Sequence, residues 1–377
     1  MDNLVITGMG LITPLGHHCN SIFHRLLAGR SAVESSPFPG APFFAPIRDY
    51  PLETRYDRSI ELAVACAREA LQDAGESFCR DNKTSVYISS TKGGMNSLDN
   101  KMSENFLSNL MADGASRVAA QELGLSGACF NVVAACATGI FALGSAIRAI
   151  EAGECERAVV GVAEAALTEL VMSGFSSMGV LTKTTMRPFR YARDGFVPAE
   201  GAAVFTVEKA KAAAERGATV HARIRGWATC TDQENIVRFD KSGVAIGRAI
   251  TMALENGGLA AEEIDAICVH GTATPNNDLC EAAGIKVALG KYGECVDCFG
   301  VKPALGHALG ASAALELAIS ILALESGRLP PTLGSGKIDD ACTLNITEEG
   351  KSSVINRILS LNFGFGGHIG AVIVEKV

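Results

Sequence analysis

Clusters of lysine and arginine are missing from the sequence. Its 33 basic and 41 acidic residues give a formal charge of −8, and they are dispersed along the chain without a basic run. A protein that binds nucleic-acid phosphates needs a concentrated basic surface. We therefore expect no DNA or RNA partner.

A secretory signal is also lacking. The chain begins MDNLVITGMG, where an acidic residue precedes a β-branched run and no cleavage pattern follows. We therefore expect a cytoplasmic protein whose twelve cysteines are mostly buried free thiols. The segment Leu123–Ile147 is uncharged and long enough to span a bilayer. Polar residues and glycines interrupt it, so we expect no membrane insertion.

Patterns typical of metal sites are incomplete. Cys295 and Cys298 form a single C-x-x-C without a second pair at finger-like spacing. His17, His18 and His24 have no acidic or sulfur ligand at a fitting distance in the sequence. We therefore expect no bound metal.

Linkers and low-complexity segments are absent as well, and 377 residues at 48% hydrophobic content can bury a large core. Strand-like and helix-like segments alternate throughout, which predicts an α/β fold with helices packed on sheets. The segments that matter for the site are a strand at Phe130–Ala134 and helices at Arg58–Asp73, Ala137–Ala152 and Ala308–Glu325.

An internal repeat connects two distant parts of the chain. Cys129-Phe130 and Cys298-Phe299 each open an apolar segment that leads through a small-residue turn into a long helix. Cys136 lies at the first turn and His307 at the second, each followed three residues later by glycine. The repeat predicts two duplicated α/β halves, residues 1–214 and 215–377, within one integrated unit.

Cys136 lies where the first of these helices begins. Unpaired backbone N–H groups and the helix dipole favour a thiolate at such a position, so we expect a depressed thiol pKa and a candidate nucleophile. The alternative from composition is that Cys136 is one more small buried thiol.

Two further segments carry titratable residues. In VHGTATPNND, His270 ends an apolar strand beside hydroxyl groups and is suited to act as a hydrogen-bond donor or general acid/base. In GVKPALGHALGASAALELA, Lys302 and His307 flank a glycine-containing turn, and Glu316 is the acidic partner expected for the lysine.

Taken together, these motifs resemble those of the β-ketoacyl-[acyl-carrier-protein] synthases, the elongating condensing enzymes of the thiolase superfamily. The resemblance runs nearly end to end, through VITGMGLITPLG, AACATG, RPF followed by RDGFV, HGTATPNND, a lysine followed by GHALGAS, and FGFGGH. It implies a thiolase-like fold in which two α/β halves form a layered αβαβα core.

The resemblance also implies the catalytic roles. Cys136 matches the nucleophile that carries the acyl chain. His270 and His307 match the two histidines that act on a malonyl thioester, and Lys302 matches the lysine that orients them, supported by Glu316. The expected reaction is a decarboxylative Claisen condensation that gives a β-ketoacyl-[acyl-carrier-protein].

Further positions follow from the same family pattern. The backbone N–H groups of Cys136 and Phe365 match the oxyanion hole, and Phe365 also matches a gating residue. Thr272, Thr274 and Gly366 match substrate-binding positions that hold the pantetheine arm. Arg55 and Arg58 lie roughly where the family binds its acidic carrier protein.

The resemblance implies no resident cofactor, since phosphopantetheine on acyl carrier protein holds the substrates. It implies a homodimer or a heterodimer with a related subunit. A non-condensing chain-length-determining subunit and an acyltransferase that does not decarboxylate stay open as alternatives. The cap region between Pro37 and Tyr56 and the loop after Trp227 are short for the family, and the acyl chain that they suit is left open.

Overall fold

A computed structural model describes residues 4–53, 55–75, 83–99 and 109–377 of the chain. The strands, numbered in chain order, are β1 Leu4–Ile12, β2 Glu34–Ser35, β3 Phe43–Phe44, β4 Thr84–Ser89, β5 Arg157–Glu164, β6 Gly201–Lys209, β7 Ala222–Thr231, β8 Ala266–Cys268, β9 Asp297–Phe299, β10 Arg328–Leu329, β11 Asn345–Ile346, β12 Lys351–Ser352, β13 Arg357–Gly364 and β14 His368–Glu375.

The α-helices are Cys19–Leu27, Arg58–Asp73, Asn96–Asp99, Gly114–Leu123, Thr138–Glu151, Glu169–Ser177, Ala210–Glu215, Val244–Gly257, Pro275–Leu289, Lys302–Leu305 and Ser312–Ser326. Short 3₁₀ helices cover Ala261–Glu263, Gly290–Glu294 and Leu309–Ala311.

A 10-stranded sheet joins the two halves of the chain in the order β11-β9-β8-β13-β14-β7-β1-β6-β5-β4. The halves meet where β1 pairs antiparallel with β7. Outward from that junction each half repeats the same pattern, because β6, β5 and β4 on one side correspond to β14, β13 and β8 on the other. The predicted duplication is visible in this strand order.

Helices lie on both faces of each half. The Thr138–Glu151 and Ser312–Ser326 helices pack against each other and against strands from both halves. The Arg58–Asp73 helix covers the outer face of β1 and β6, and the Val244–Gly257 helix covers β7 and β14. The layers therefore run αβαβα, which confirms the thiolase-like fold expected from the sequence.

One central helix, Ser312–Ser326, is buried on all sides over most of its length. The helix Ser312–Ser326 shows little amphipathic character because buried side chains occupy most of its length. By length and composition, the stretch Leu309–Ser326 is apolar enough to cross a membrane, but 89% of it is buried inside the protein. It is the core helix of the second half.

One sequence-based assignment is wrong. Phe130–Ala134 is not a regular strand, because this part of the chain forms only isolated β-bridges, from Cys129 to Val86 of β4 and between Ala134 and Cys136. The segment is extended but lacks a continuous partner in the described part of the chain. The repeat is nevertheless conserved in space, since Cys298 pairs with Ile267 of β8 as Cys129 pairs with Val86 of β4.

His221 connects the halves close to the β1–β7 junction. Its ring lies 2.7 Å from a carboxylate oxygen of Asp73 and 2.7 Å from one of Glu325, at the ends of helices from opposite halves. These two carboxylates raise the pKa of His221 to about 9. A protonated His221 therefore stabilises the contact between the halves.

This contact predicts a pH-dependent stability. The raised pKa means that the stabilisation is complete below the unfolded-state pKa of about 6.5 and is lost as the pH rises through about 9. The difference in unfolding free energy between wild type and His221→Gln should shrink between about pH 6.5 and about pH 9.5 in denaturant titrations. Replacement of the exposed His24 by Gln serves as the control. A pH-independent difference would contradict the assignment.

Candidate active site

One cavity of about 550 Å³ collects the residues singled out by the sequence motifs. They reach it from both halves of the chain: Cys136, His270, Thr272, Thr274, His307 and Phe365. Lys302 and Glu316 lie behind the histidines and are 2% and 1% exposed.

Cys136 lies in a strained turn before the Thr138–Glu151 helix. The preceding residue, Ala135, has a φ of 47°, in the left-handed region that is unfavourable for alanine. Thr138 braces the turn, since its hydroxyl accepts from the Ala134 N–H at 2.9 Å and donates to the Ala135 carbonyl at 2.6 Å. This geometry presents Cys136 to the cavity.

The thiol pKa differs from the expectation. Burial raises the pKa of Cys136 to about 11, although Lys302 and Lys92 act in the opposite direction. The expectation of a depressed pKa in the resting protein is therefore wrong. The apolar cavity removes water from the thiolate, and this desolvation outweighs the nearby positive charges.

His270 is held by a buried polar network. Its Nδ1 lies 3.1 Å from Lys302 Nζ and 3.3 Å from Asn362 Nδ2, and both of those groups are donors. Nδ1 must therefore accept, which leaves the proton of the neutral ring on Nε2. Lys302 also donates to the His270 carbonyl at 2.5 Å.

Glu316 completes this network behind the ring. Its carboxylate accepts from Lys302 Nζ at 2.5 Å and from Asn362 Nδ2 at 2.6 Å. The ion pair neutralises the buried ammonium, and burial raises the pKa of Glu316 despite that contact. Glu281 fixes the backbone on the other side by accepting from the His270 N–H at 2.6 Å and the Gly271 N–H at 2.8 Å.

His307 lies beside His270, with the two rings edge to face and their centroids 5.6 Å apart. Its Nδ1 lies 2.7 Å from Ser312 Oγ, and Phe196 packs against its ring at 4.8 Å. The backbone around it is pinned to the neighbouring segment by hydrogen bonds from its N–H to the Val197 carbonyl and from Ala199 N–H to its carbonyl.

Both imidazoles are neutral at physiological pH. Burial lowers the pKa of His270 and His307 well below its usual range, and the Lys302 ammonium acts in the same direction. A neutral imidazole can donate one hydrogen bond to a substrate oxygen without carrying a charge. Two such rings facing one cavity can polarise a thioester carbonyl.

The closing glycine-rich motif reaches the nucleophile. A Cβ placed on Gly364 would lie 2.9 Å from the Cys136 nitrogen, so these two backbones are in direct contact. Within the described residues, neither the Cys136 nor the Phe365 N–H donates to another backbone group. The two N–H groups are thus suited to a substrate oxyanion.

Gly366 is not among the described residues that line the cavity, although it follows Phe365, which is. Its N–H donates to the Ile236 carbonyl at 2.7 Å, and the Asp232 N–H donates to the Gly367 carbonyl at 2.8 Å. The short loop after Trp227 therefore borders the entrance beside Phe365. Thr272 and Thr274 also lie at the cavity, with their hydroxyl oxygens 3.0 Å apart.

Arg58 has a partly buried side chain that forms an ion pair within the protein. Its guanidinium contacts Glu200 at 2.8 Å and donates to the Ile47 carbonyl at 2.5 Å. The role of Arg58 in binding a carrier protein stays a prediction. Arg55 is more exposed and contacts Glu122 at 3.1 Å.

The histidines and cysteines of the metal-like sequence patterns do not form a metal site among the described residues. Within the described residues, no group of histidine, cysteine or acidic side chains is arranged to hold a metal ion. Cys295 is exposed while Cys298 is buried. Cys79 lies outside the described residues.

Several residues of the site were missed in the sequence analysis. Asn362 precedes the FGFGGH motif and would have required knowing that its side chain faces His270. Ser312 could have been found, because it follows His307 by five residues in the same motif. Lys92 lines the cavity from a turn after β4, far from the motifs in sequence.

Two family models match this chain. Residues 1–213 match the model described as Beta-ketoacyl synthase, N-terminal domain, and residues 221–335 match Beta-ketoacyl synthase, C-terminal domain.

Characterised relatives match over nearly the whole length. The chain is 31% identical over 408 residues to 3-oxoacyl-[acyl-carrier-protein] synthase 2 of Coxiella burnetii, with 99% of this chain and 98% of the relative covered. It is 29% identical over 407 residues to the enzyme of the same name from Staphylococcus aureus, with the same coverage.

Solved structures agree with the fold. A β-ketoacyl synthase from Burkholderia phymatum superposes with a TM-score of 0.93 at 28% identity and covers 100% of both chains. The ishigamide ketosynthase/chain length factor gives a TM-score of 0.92 at 28% identity, covering 100% of this chain and 99% of that one. A ketosynthase bound to a hexaketide and in complex with its type II PKS acyl-carrier protein gives a TM-score of 0.93 at 25% identity, with the same coverage.

The buried ion pair predicts a large loss of stability in one variant. Glu316→Gln removes the charge that neutralises Lys302, and we expect the unfolding free energy to fall by about 3 kcal/mol. Glu215→Gln, at an exposed pair with Lys211, should change it by no more than about 0.5 kcal/mol. Denaturant titration of both variants checks this. Equal unfolding free energies of Glu316→Gln and wild type would show that stability does not depend on the charge of Glu316.

The thiol pKa predicts the reactivity of the resting protein. Alkylation of Cys136 by iodoacetamide should accelerate about tenfold per pH unit up to about pH 10, because only the thiolate reacts. Peptide mass spectrometry resolves Cys136 from the exposed Cys295, which serves as an internal reference. A rate that levels off below about pH 8 would instead indicate a depressed pKa.

Proposed function

Because the chain belongs to the β-ketoacyl synthase family, we propose that it condenses an acyl thioester, held on Cys136, with malonyl-[acyl-carrier-protein]. The product is a β-ketoacyl-[acyl-carrier-protein] in fatty-acid or polyketide elongation. The proposal is supported by the cavity that Cys136, His270 and His307 all line. Lys302 lies behind them and contacts His270. The enzyme is an acyltransferase.

In the first step, the sulfur of Cys136 attacks the carbonyl carbon of an acyl thioester on the carrier. The tetrahedral oxyanion accepts hydrogen bonds from the backbone N–H groups of Cys136 and Phe365, each worth roughly 3 kcal/mol when well aimed. The carbon–sulfur bond to pantetheine then breaks. The thiol proton of Cys136 is transferred to the released pantetheine thiol.

In the second step, malonyl-[acyl-carrier-protein] occupies the same cavity. His270 donates its Nε2–H to the malonyl thioester oxygen, and the neighbouring ring of His307 donates to the same oxygen. The bond to the carboxylate breaks, carbon dioxide leaves, and the bonding electrons form an enolate. The enolate carbon attacks the acyl-Cys136 carbonyl and the carbon–sulfur bond to Cys136 breaks. The Cys136 thiolate then takes one proton from solvent.

Lys302 acts through His270 rather than on the substrate. Its ammonium donates to Nδ1 and to the His270 carbonyl, which holds the ring as the Nε2–H tautomer. Asn362 supports the same tautomer, and Glu316 neutralises the lysine. These groups are positioning residues.

We also propose the partners and setting of the reaction. The substrates come from acyl carrier protein, with Arg55 as a docking contact and Thr272, Thr274 and Gly366 around the pantetheine arm. No resident cofactor takes part. Residues 1–214 and 215–377 work as one unit in the cytoplasm, as a homodimer or beside a related subunit, for which the ketosynthase/chain length factor structure is a precedent.

Intact-protein mass spectrometry tests the proposal. Wild type should gain the acyl mass from acyl-[acyl-carrier-protein], lose it on addition of malonyl-[acyl-carrier-protein], and release a β-keto product two carbons longer. Cys136→Ala should gain no mass. His270→Ala should become acylated but elongate at least about 100-fold more slowly, because the donor to the enolate oxygen is lost.

The other outcomes identify the alternatives. Acylation of wild type without elongation would indicate an acyltransferase that does not decarboxylate. Absence of acylation by every chain tested would indicate a non-condensing chain-length-determining subunit.

A further inference from the structure

Lys92 places a second ammonium group at the cavity, separate from the Lys302 network. It follows β4 and lines the same space as Cys136 and His307. Its Nζ lies 3.3 Å from Thr91 Oγ1, and the Thr91 hydroxyl in turn donates to the buried carboxylate of Glu164. The lysine is therefore anchored at one of its three N–H groups.

The charge of Lys92 is not neutralised by a direct ion pair. Among the residues that the structure describes, no carboxylate lies within 4.0 Å of its Nζ, whereas Lys302 is paired with Glu316 at 2.5 Å. The Glu164 oxygens accept instead from the Ser90 hydroxyl and from the N–H and hydroxyl of Thr91. Thr91 thus separates Glu164 from the ammonium.

Close packing ties Lys92 to the His307 side of the cavity. A Cβ on Gly310 would lie 2.3 Å from Thr91 Cγ2, so the turn after His307 rests directly on the residue before Lys92. The field of Lys92 lowers the pKa of both Cys136 and His307. The pKa of His270 is set by burial, Lys302 and His307. By this packing, Lys92 lies on the wall of the cavity that the turn after His307 forms.

Apolar side chains form much of the wall of the cavity that Lys92 lines, beside polar residues such as Asp194 and Asn276. The cavity wall is built largely from hydrophobic side chains: Phe175, Met178, Val180, Phe196 and Leu309. Filling this space with a saturated chain would displace water from an ammonium that gains no acceptor in return, which costs free energy. A chain that carries an oxygen acceptor would restore the lost hydrogen bond.

We infer that Lys92 is a specificity-determining residue that selects acyl chains with an oxo oxygen near the thioester over saturated chains of equal length. The inference rests on the proposed function, since it concerns the chain that Cys136 carries. The Nζ–H donates to the oxo oxygen of the bound chain, while Thr91 holds the ammonium in place.

The malonyl carboxylate is a poorer candidate for this contact. An ammonium that holds a carboxylate stabilises the charge that decarboxylation must remove, and so opposes the step. An oxo oxygen keeps its position throughout the condensation, and its contact with Lys92 carries no such penalty.

Loading rates of Cys136 test the inference. Carrier-bound hexanoyl, 3-oxohexanoyl and 5-oxohexanoyl chains are each mixed with enzyme, and formation of the acyl adduct is followed by intact mass. Wild type should load at least one oxo chain about tenfold faster than hexanoyl, the gain expected of a hydrogen bond to a charged donor. Lys92→Met should lose this preference, so that the ratio of oxo-chain to hexanoyl loading rates falls to about one.

The ratio of the oxo-chain and hexanoyl loading rates distinguishes selectivity from a general effect on the thiol, because a change in thiol reactivity alters all of the rates alike. Lys92→Arg should keep part of the preference, and Lys291→Met, at an exposed lysine, should keep all of it. Thermal melting confirms that each variant is folded. A wild type without preference, or a Lys92→Met variant that slows all three chains equally, would overturn the inference. Absence of any adduct on wild type would overturn the proposed function as well, and is distinguished by the missing mass gain.

Discussion

The buried ion pair between Lys302 and Glu316 is the interaction on which the site depends. It joins the turn after β9 to the central Ser312–Ser326 helix at 2.5 Å. Through Asn362 it reaches the end of β13, and through the lysine it reaches His270 at the end of β8. A buried ammonium and carboxylate are costly alone, so each requires the other to stay in place.

Because of this network, the hydrogen-bond partners at Nδ1 differ between the two histidines. His270 has two obligate donors at Nδ1, which leaves its Nε2 proton for the substrate. His307 has a serine hydroxyl at Nδ1 instead, which can donate or accept. The partner of His307 is compatible with either tautomer of its ring, whereas the partners of His270 fix one.

Duplication places the chemistry at the junction of the halves. Cys136 and His307 begin equivalent central helices, and strained residues accompany both turns, Ala135 with a φ of 47° and Leu309 with a φ of 48°. A Cβ on Gly139 would lie 2.7 Å from the Ala314 nitrogen, so the two helices touch at their first turns. The fold thereby brings residues 171 positions apart in sequence to one cavity.

Local patterns predicted most of the fold, and long-range packing accounts for what they missed. Alternating segments and the repeat around Cys129 and Cys298 indicated two α/β halves. The motifs also singled out Cys136, His270 and His307, which the structure brings to one cavity. The thiol pKa of Cys136 could not be predicted, because burial by both halves outweighs the helix start. The ion pair of Arg58 with Glu200 could not be predicted either, because the two residues are distant in sequence.

Lys302 and Asn362 hold His270 as a neutral ring protonated at Nε2, and ¹⁵N NMR of histidine-labelled protein detects that tautomer. With His270→Asn used to assign the signals, we predict a protonated Nε2 and an unprotonated, hydrogen-bonded Nδ1 from about pH 6 to about pH 9, across the usual histidine pKa. A His270 ring that is protonated on Nδ1, or that titrates in this range, would contradict the account.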